Sequence, residues 1–112
     1  MFWREYAPVG LSDMQVVVTD EAMANLRAIW SFYQDKNLTY ADRTVEGLLN
    51  FCVGTLSSFS NLGTIYRPAD AVRRIVHGDY NIYYKTDGER VFVLHILHHR
   101  QMMNDLLRDR DV

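Results

Sequence analysis

The sequence predicts an α+β fold: an antiparallel sheet built from one early strand and a later three-stranded meander, with a helical hairpin on one face. Three observations carry this. Val16, Val17 and Val18 form a β-branched apolar run just ahead of a capped helical pattern. Two apolar stripes of helical period follow, with a loop of about three residues between them, which makes the helices antiparallel neighbours. From Val72 onward the period changes to that of strands. Strands and helices segregated in this way give an α+β domain.

Gln15 to Thr19 is the first strand. Thr19 or Asp20 caps the first helix, and Asp20 and Glu21 lie in its first turn, where the helix dipole favours negative charge. Ala22, Leu26, Ile29, Trp30 and Tyr33 make one stripe, and Asp35, Lys36 and Asn37 end it. Thr39 with Asp42 three residues on reads as a capping-box-like start for the second helix. Its stripe is Ala41, Val45, Leu48, Leu49, Cys52, Leu56 and Phe59. Gly47 and Gly54 each weaken it by about 1 kcal/mol relative to Ala while allowing another helix to approach closely. Ser57, Ser58, Ser60, Asn61 and Gly63 stop it, and Tyr66, Arg67 and Pro68 read as a polar connection to the sheet.

The meander opens at Val72 and turns at Gly78 and Asp79. Ile82 and Tyr84 then alternate with Asn81, Tyr83 and Lys85. Thr86, Asp87, Gly88 and Glu89 supply hairpin chemistry, since Asp and Gly tolerate left-handed backbone. Val91 to Leu97 is almost continuously apolar, as expected of a strand at the centre of a sheet. His98, His99 and Arg100 end it. The early strand must pair inside this meander or along its edge.

The whole chain, 1–112, reads as one domain with a single core. Residues 1–13 are an aromatic N-terminal extension containing Phe2, Trp3 and Tyr6, expected to pack on the domain or on a partner. Residues 14–100 are the core. Residues 101–112 read as a tail helix, with Met102, Met103, Leu106 and Leu107 facing one way and Asp105, Arg108, Asp109 and Arg110 facing water.

Composition excludes several classes. The single cysteine, Cys52, rules out an internal disulfide and a cysteine-built zinc site, and its place in an apolar stripe marks it as a small buried hydrophobe. No run approaches the roughly 18 apolar residues of a membrane span, and no signal-peptide pattern occurs, so a cytoplasmic protein is expected. Net charge is -2. Residues 1–71 carry five Lys/Arg against eight Asp/Glu, whereas 72–112 carry seven against six plus all four histidines. General nucleic-acid binders are basic, so any such contact belongs to the sheet half. No Walker loop, dinucleotide fingerprint or nucleophile elbow is present, and no cofactor is expected.

Two segments, VVVTDEAMANLRAIWSFY at the front and VRRIVHGDYNIYYKTDGERVFVLHILHHRQ at the back, resemble the RelE/ParE superfamily of type II toxin–antitoxin toxins, nearer the ParE branch. The resemblance covers roughly Gln15 to Arg100. Its more specific part runs through Val72, Arg73, Gly78, Tyr80, Ile82, Tyr84, the Gly88 hairpin, and His98 with Arg100. The Gly-Arg-Pro-like approach to the sheet that is frequent in the family is reduced here to Tyr66-Arg67-Pro68. The resemblance implies a small growth-inhibiting toxin, a cognate antitoxin that wraps it, and an oligomeric toxin–antitoxin complex. ParE-like members poison DNA gyrase; RelE-like members cleave mRNA on the ribosome. Fold alone does not choose between these.

Metal-free RNA cleavage needs a base, an acid and cations for the phosphate. His98, Arg100, Arg73 and Tyr84 are the candidates for that role. Strand alternation puts His98 and Arg100 on one face and sends adjacent His98 and His99 to opposite faces, which disfavours a metal site. Tyr80 and Tyr84 also fit plain sheet packing, His95 fits a hydrogen-bonded core histidine, and one of Arg73 and Arg74 fits a surface ion pair. Lys85 is the only lysine after Lys36, a poor complement for the ribosome and mRNA. Three readings stand. In the first, the toxin acts by binding the gyrase–DNA complex through Arg73, Arg74, His98, His99 and Arg100. In the second, it is a ribosome-dependent mRNA interferase. In the third, it is a toxin-fold partner without toxicity.

Overall fold

The computed structural model describes the backbone of residues 3–6 and residues 13–100 in full. The chain runs β1 (Trp3–Tyr6), β2 (Gln15–Thr19), α1 (Asp20–Gln34), α2 (Leu38–Asn50), β3 (Thr64–Arg67), β4 (Val72–His77), β5 (Tyr80–Thr86) and β6 (Arg90–His98). A π-helical turn over Phe51–Leu56 prolongs α2, and a 3-10 turn over Pro68–Asp70 joins β3 to β4. The tail helix expected over 101–112 lies outside the described residues.

The six strands form one sheet in the order β1-β2-β6-β5-β4-β3. Two members were not expected. β3 arises where a polar connection was read, because Thr64, Ile65 and Tyr66 have strand propensity and pair antiparallel to β4. β1 forms within the aromatic extension and pairs antiparallel with β2, Trp3 opposite Thr19 and Tyr6 opposite Val16. The sheet is also not wholly antiparallel. β2 runs parallel to β6, Val16 beside Val91 and Val18 beside Val93. Successive hairpins alternate the directions of β3 to β6, while the helical pair carries the chain from β2 across the sheet. Parallel neighbours need such a crossover.

The helices start and stop for local reasons. Thr19 caps α1: its hydroxyl accepts from the Ala22 N–H and donates to the Val93 carbonyl at 2.8 Å. The α2 cap is Asn37, two residues before the expected Thr39, and its side-chain oxygen accepts from the Tyr40 N–H at 3.0 Å. Trp30 ties the pair together by donating its indole N–H to Asp42 at 2.8 Å.

The main core lies between the helices and one face of the sheet. Leu26, Leu48, Cys52 and Leu56 meet Val16, Val18, Ile82, Tyr84, Val93 and Ile96 there. Val72, Tyr83 and Leu97 form a smaller buried cluster on the opposite face, flanked by Tyr66 and Leu94. The loop after α2 is pinned to the sheet by one phenol. Tyr84 donates to the Ser60 carbonyl at 2.8 Å and accepts from the Gly63 N–H at 2.8 Å.

Candidate functional site

A register irregularity in β6 decides where its end points. Tyr84 pairs with Val93 and Tyr83 with His95, so Leu94 is an extra residue. Before it, Val91 and Val93 face the helices; after it, Ile96 does. Without the bulge, alternation from Val93 would place His95 on that face and turn Ile96 and His98 away. α1 holds the bulge in place. Thr19 Oγ1 lies 2.8 Å from the Val93 carbonyl and 3.3 Å from that of Leu94, and Asn25 Oδ1 accepts from the Ile96 N–H at 2.9 Å.

The result is a groove of about 550 Å³ between α1 and the adjoining ends of β5 and β6. Asn25, Ala28, Ile29, Phe32 and Tyr33 line one side, a stripe at helical spacing. Tyr80, Ile96, His98 and Arg100 line the other. Tyr80 opens β5, His98 closes β6, and the two are paired in the ladder. Their rings meet edge to face with centroids 5.5 Å apart. Burial and the neighbouring Tyr33 hydroxyl push the Tyr80 phenol well above its ordinary range, so it stays protonated. His98 Nδ1 accepts from the Arg100 backbone N–H at 3.2 Å, which leaves Nε2 as the donor of the neutral ring. Phe32 stands 61% exposed at the rim, with Lys36 3.9 Å above its ring. The groove combines apolar walls with one guanidinium and one imidazole.

The sequence-predicted residues divide between two ends of the sheet. His98 and Arg100 share the groove. His99 begins a turn, so strand alternation no longer applies to it: its ring lies 4.3 Å from that of His98, and its N–H donates to the Asp79 carbonyl at 2.9 Å. Two imidazoles fall short of the three or four ligands of a zinc site, and among the described residues no group of three His, Cys, Asp or Glu could hold a metal. Arg73 pairs with Tyr84, four residues along β5 from Tyr80, roughly 13 Å away at strand rise. Its guanidinium donates to the Gly63 carbonyl at 2.6 Å. Arg74 lies over the Tyr66 ring on the opposite face, at 5.5 Å. A carbonyl and a phenol ring therefore hold these arginines where a carboxylate partner was expected for one. His95 is buried, with Nε2 3.6 Å from Glu21. Asn25 and Phe32 were missed. Phe32, three residues beyond Ile29, was the available signal, because it extends the apolar face past the stripe that was read.

Comparison with known proteins bears on what this scaffold is. Solved structures that share it include the chromosomal ParDE toxin–antitoxin system from P. aeruginosa and the RelBE2 toxin–antitoxin complex from Mycobacterium tuberculosis. The first aligns with a TM-score of 0.60 at 23% identity, over 72% of this chain and 90% of that one. The second aligns with a TM-score of 0.62 at 20% identity, over 82% of this chain and 98% of that one. At such identities the likeness is one of fold. No curated protein sequence matches the chain. The family model of the ParE toxin of the type II toxin–antitoxin system parDE matches residues 16–103, from the first valine of β2 to beyond the groove. The chain therefore belongs to the ParE toxin family of type II toxin–antitoxin systems, within the RelE/ParE superfamily.

Proposed function

We propose that this toxin inhibits DNA gyrase by binding the gyrase–DNA complex, and that a cognate antitoxin neutralises it in a toxin–antitoxin oligomer. The observation that carries a binding mode over catalysis is the division of the cationic residues. Arg73 and Tyr84 are engaged with Gly63, while His98 and Arg100 line the groove at the other end of the strands. A metal-free nuclease would need its base, acid and phosphate-binding cations around one phosphodiester. Trapping a cleaved intermediate needs only a surface that favours that state over the religated one. Arg100, His98 and the exposed Phe32 offer such a surface, cationic and aromatic together. His99, turned beside His98, extends it. A gyrase target places the toxin in the cytoplasm. Among the described residues, no helix is long and apolar enough to cross a membrane.

The antitoxin proposal draws on family membership and on the two structural relatives, which were solved as toxin–antitoxin systems. A supercoiling assay with purified toxin tests the target. Loss of supercoiling with accumulation of cleaved DNA is the expected result. Unimpaired gyrase at micromolar toxin, together with mRNA cleavage on translating ribosomes, would replace this reading with the interferase one.

A further inference from the structure

A side-chain hydrogen bond joins the two walls of the groove near the bulge. On the side of β6 away from β5, its neighbour as far as Val93 is β2. β2 ends at Thr19, the chain turns into α1, and among the described residues no strand continues alongside β6. Side chains of α1 and its cap stand in for the missing strand. Thr19 serves the carbonyls of Val93 and Leu94, and it is also explained as the helix cap. Asn25, six residues on, accepts from the Ile96 N–H at 2.9 Å. The helix itself does not explain this asparagine. It lies half-buried in the interior of α1, where Asn is a poorer helix former than Ala or Leu because its amide competes for nearby backbone. Here that amide is turned to a strand 71 residues away.

We infer that Asn25 is a positioning residue for target binding: it holds the end of β6, and with it His98 and Arg100, at a fixed distance from the α1 wall. This rests on the reading of the groove as the gyrase-contact surface. The ladder with β5 does not set that distance. It ties His98 to Tyr80 within the sheet and leaves that corner of the sheet free to tilt toward the helix or away from it. The walls formed by Ala28, Ile29, Phe32 and Ile96 are apolar, and apolar packing is non-directional. The bond from Ile96 to Asn25 is short and directed, so it fixes what packing leaves loose. His98 follows Ile96 by two residues on the same face, about 7 Å along the strand. Arg100 follows on the turn beyond it. An imidazole and a guanidinium bind a target tightly only when their spacing from the opposite wall is set beforehand, because ordering them on contact costs affinity.

Two measurements on the full-length chain test this. Asn25→Leu keeps the branched shape and removes the acceptor, whereas Asn25→Asp keeps an acceptor oxygen in the same place. In NMR spectra, NOEs that cross the groove between α1 and residues 96–98 should weaken in Asn25→Leu and persist in Asn25→Asp. Cross-groove NOEs unchanged in Asn25→Leu would overturn the inference. In a supercoiling assay well below the melting temperature, Asn25→Leu should weaken inhibition by about tenfold per folded molecule. In chains already carrying His98→Ala or Arg100→Ala the same change should cost about threefold or less, because those are the groups it positions. A full tenfold loss in both backgrounds also overturns the inference, since Asn25 would then act on something else. If His98→Ala and Arg100→Ala each inhibit gyrase as the wild type does, the groove is not the contact surface and the site of the proposed function fails. The NOEs then decide separately whether Asn25 holds the wall. Should Asn25→Leu fail to fold, Asn25→Ala carries both measurements.

Discussion

Tyr80 and His98 stand opposite each other on the terminal rung of the β5–β6 ladder, their ring planes at 86° and their centroids 5.5 Å apart. This contact fixes the imidazole at the mouth of the groove, next to Arg100. His98→Ala and Arg100→Ala should each weaken gyrase inhibition by about tenfold, equivalent to about 1.4 kcal/mol of binding. Both positions lie at the end of β6, so melting temperature should change little. Dose–response curves in a supercoiling assay, beside thermal melts, check both halves. Arg73→Ala is the contrast: it should lower the melting point with little change in inhibition per folded molecule.

Tyr84 is expected to act as a strut and not as a catalytic group. Tyr84→Phe removes a buried hydroxyl that serves Gly63 and Ser60, and should cost about 1–3 kcal/mol by urea denaturation. Gly63→Ala attacks the same joint from the other side. A Cβ there would sit 2.8 Å from the Tyr84 hydroxyl and 2.9 Å from the Arg74 carbonyl oxygen, which is backbone and yields little. A loss of about 1–3 kcal/mol is expected.

Ala71 adopts φ 57°, the left-handed region, to end the 3-10 turn before β4. Ala71→Gly relieves that strain and should raise stability by up to about 1 kcal/mol, the gain being offset in part by the greater freedom of Gly in the unfolded chain. A higher denaturation midpoint at unchanged slope is the readout.

Asp87 closes the β5–β6 hairpin by accepting from the N–H groups of Glu89 and Arg90, at 2.9 and 2.8 Å. Those bonds hold its carboxyl below the ordinary range. A depressed folded-state pKa stabilises above the unfolded value and loses that contribution as pH falls through the folded one. The wild type should therefore melt above Asp87→Asn at neutral pH, and the gap should close on acidification below the normal carboxyl range. Melting curves of both proteins across acid pH measure it.

Cys52 is fully buried, and burial pushes its thiol up to about 12. Thiol reagents act on the thiolate, so native protein should resist a chromogenic disulfide reagent until denaturant is added. Reaction at the rate of a free thiol without denaturant would contradict the packing of α2 on the sheet.

The sequence is legible where periodicity is strong and local. The α1 stripe, its start at Thr19 or Asp20, the Asp87-Gly88 turn and the apolar β6 all follow from residue types at fixed spacing. Three cases show why other parts were not legible. The cap of α2 moved to Asn37 because Asn and Thr both serve, and only the docked helix chooses between them. β3 was hidden because a short edge strand carries few residues and Arg67-Pro68 gives it a polar look. The candidate site was half visible. His98 and Arg100 are neighbours in the chain and in space, but the distance of Arg73 and Arg74 from them depends on strand register, which no local pattern states. Asn25 and Phe32 come from an element 60 residues or more upstream, so only the tertiary fold brings them to the groove.

One surplus backbone unit in β6 has a consequence for engineering. Deleting Leu94 would restore strict two-residue phase along the ribbon. His95 would then follow Val93 directly, still opposite Tyr83 and still turned from the helices, so Ile96 and His98 would keep their sides and the groove its imidazole. The site is thus indifferent to the surplus unit itself but not to how it is counted: a ladder that paired Leu94 as an ordinary rung would send the histidine to the wrong side of the protein.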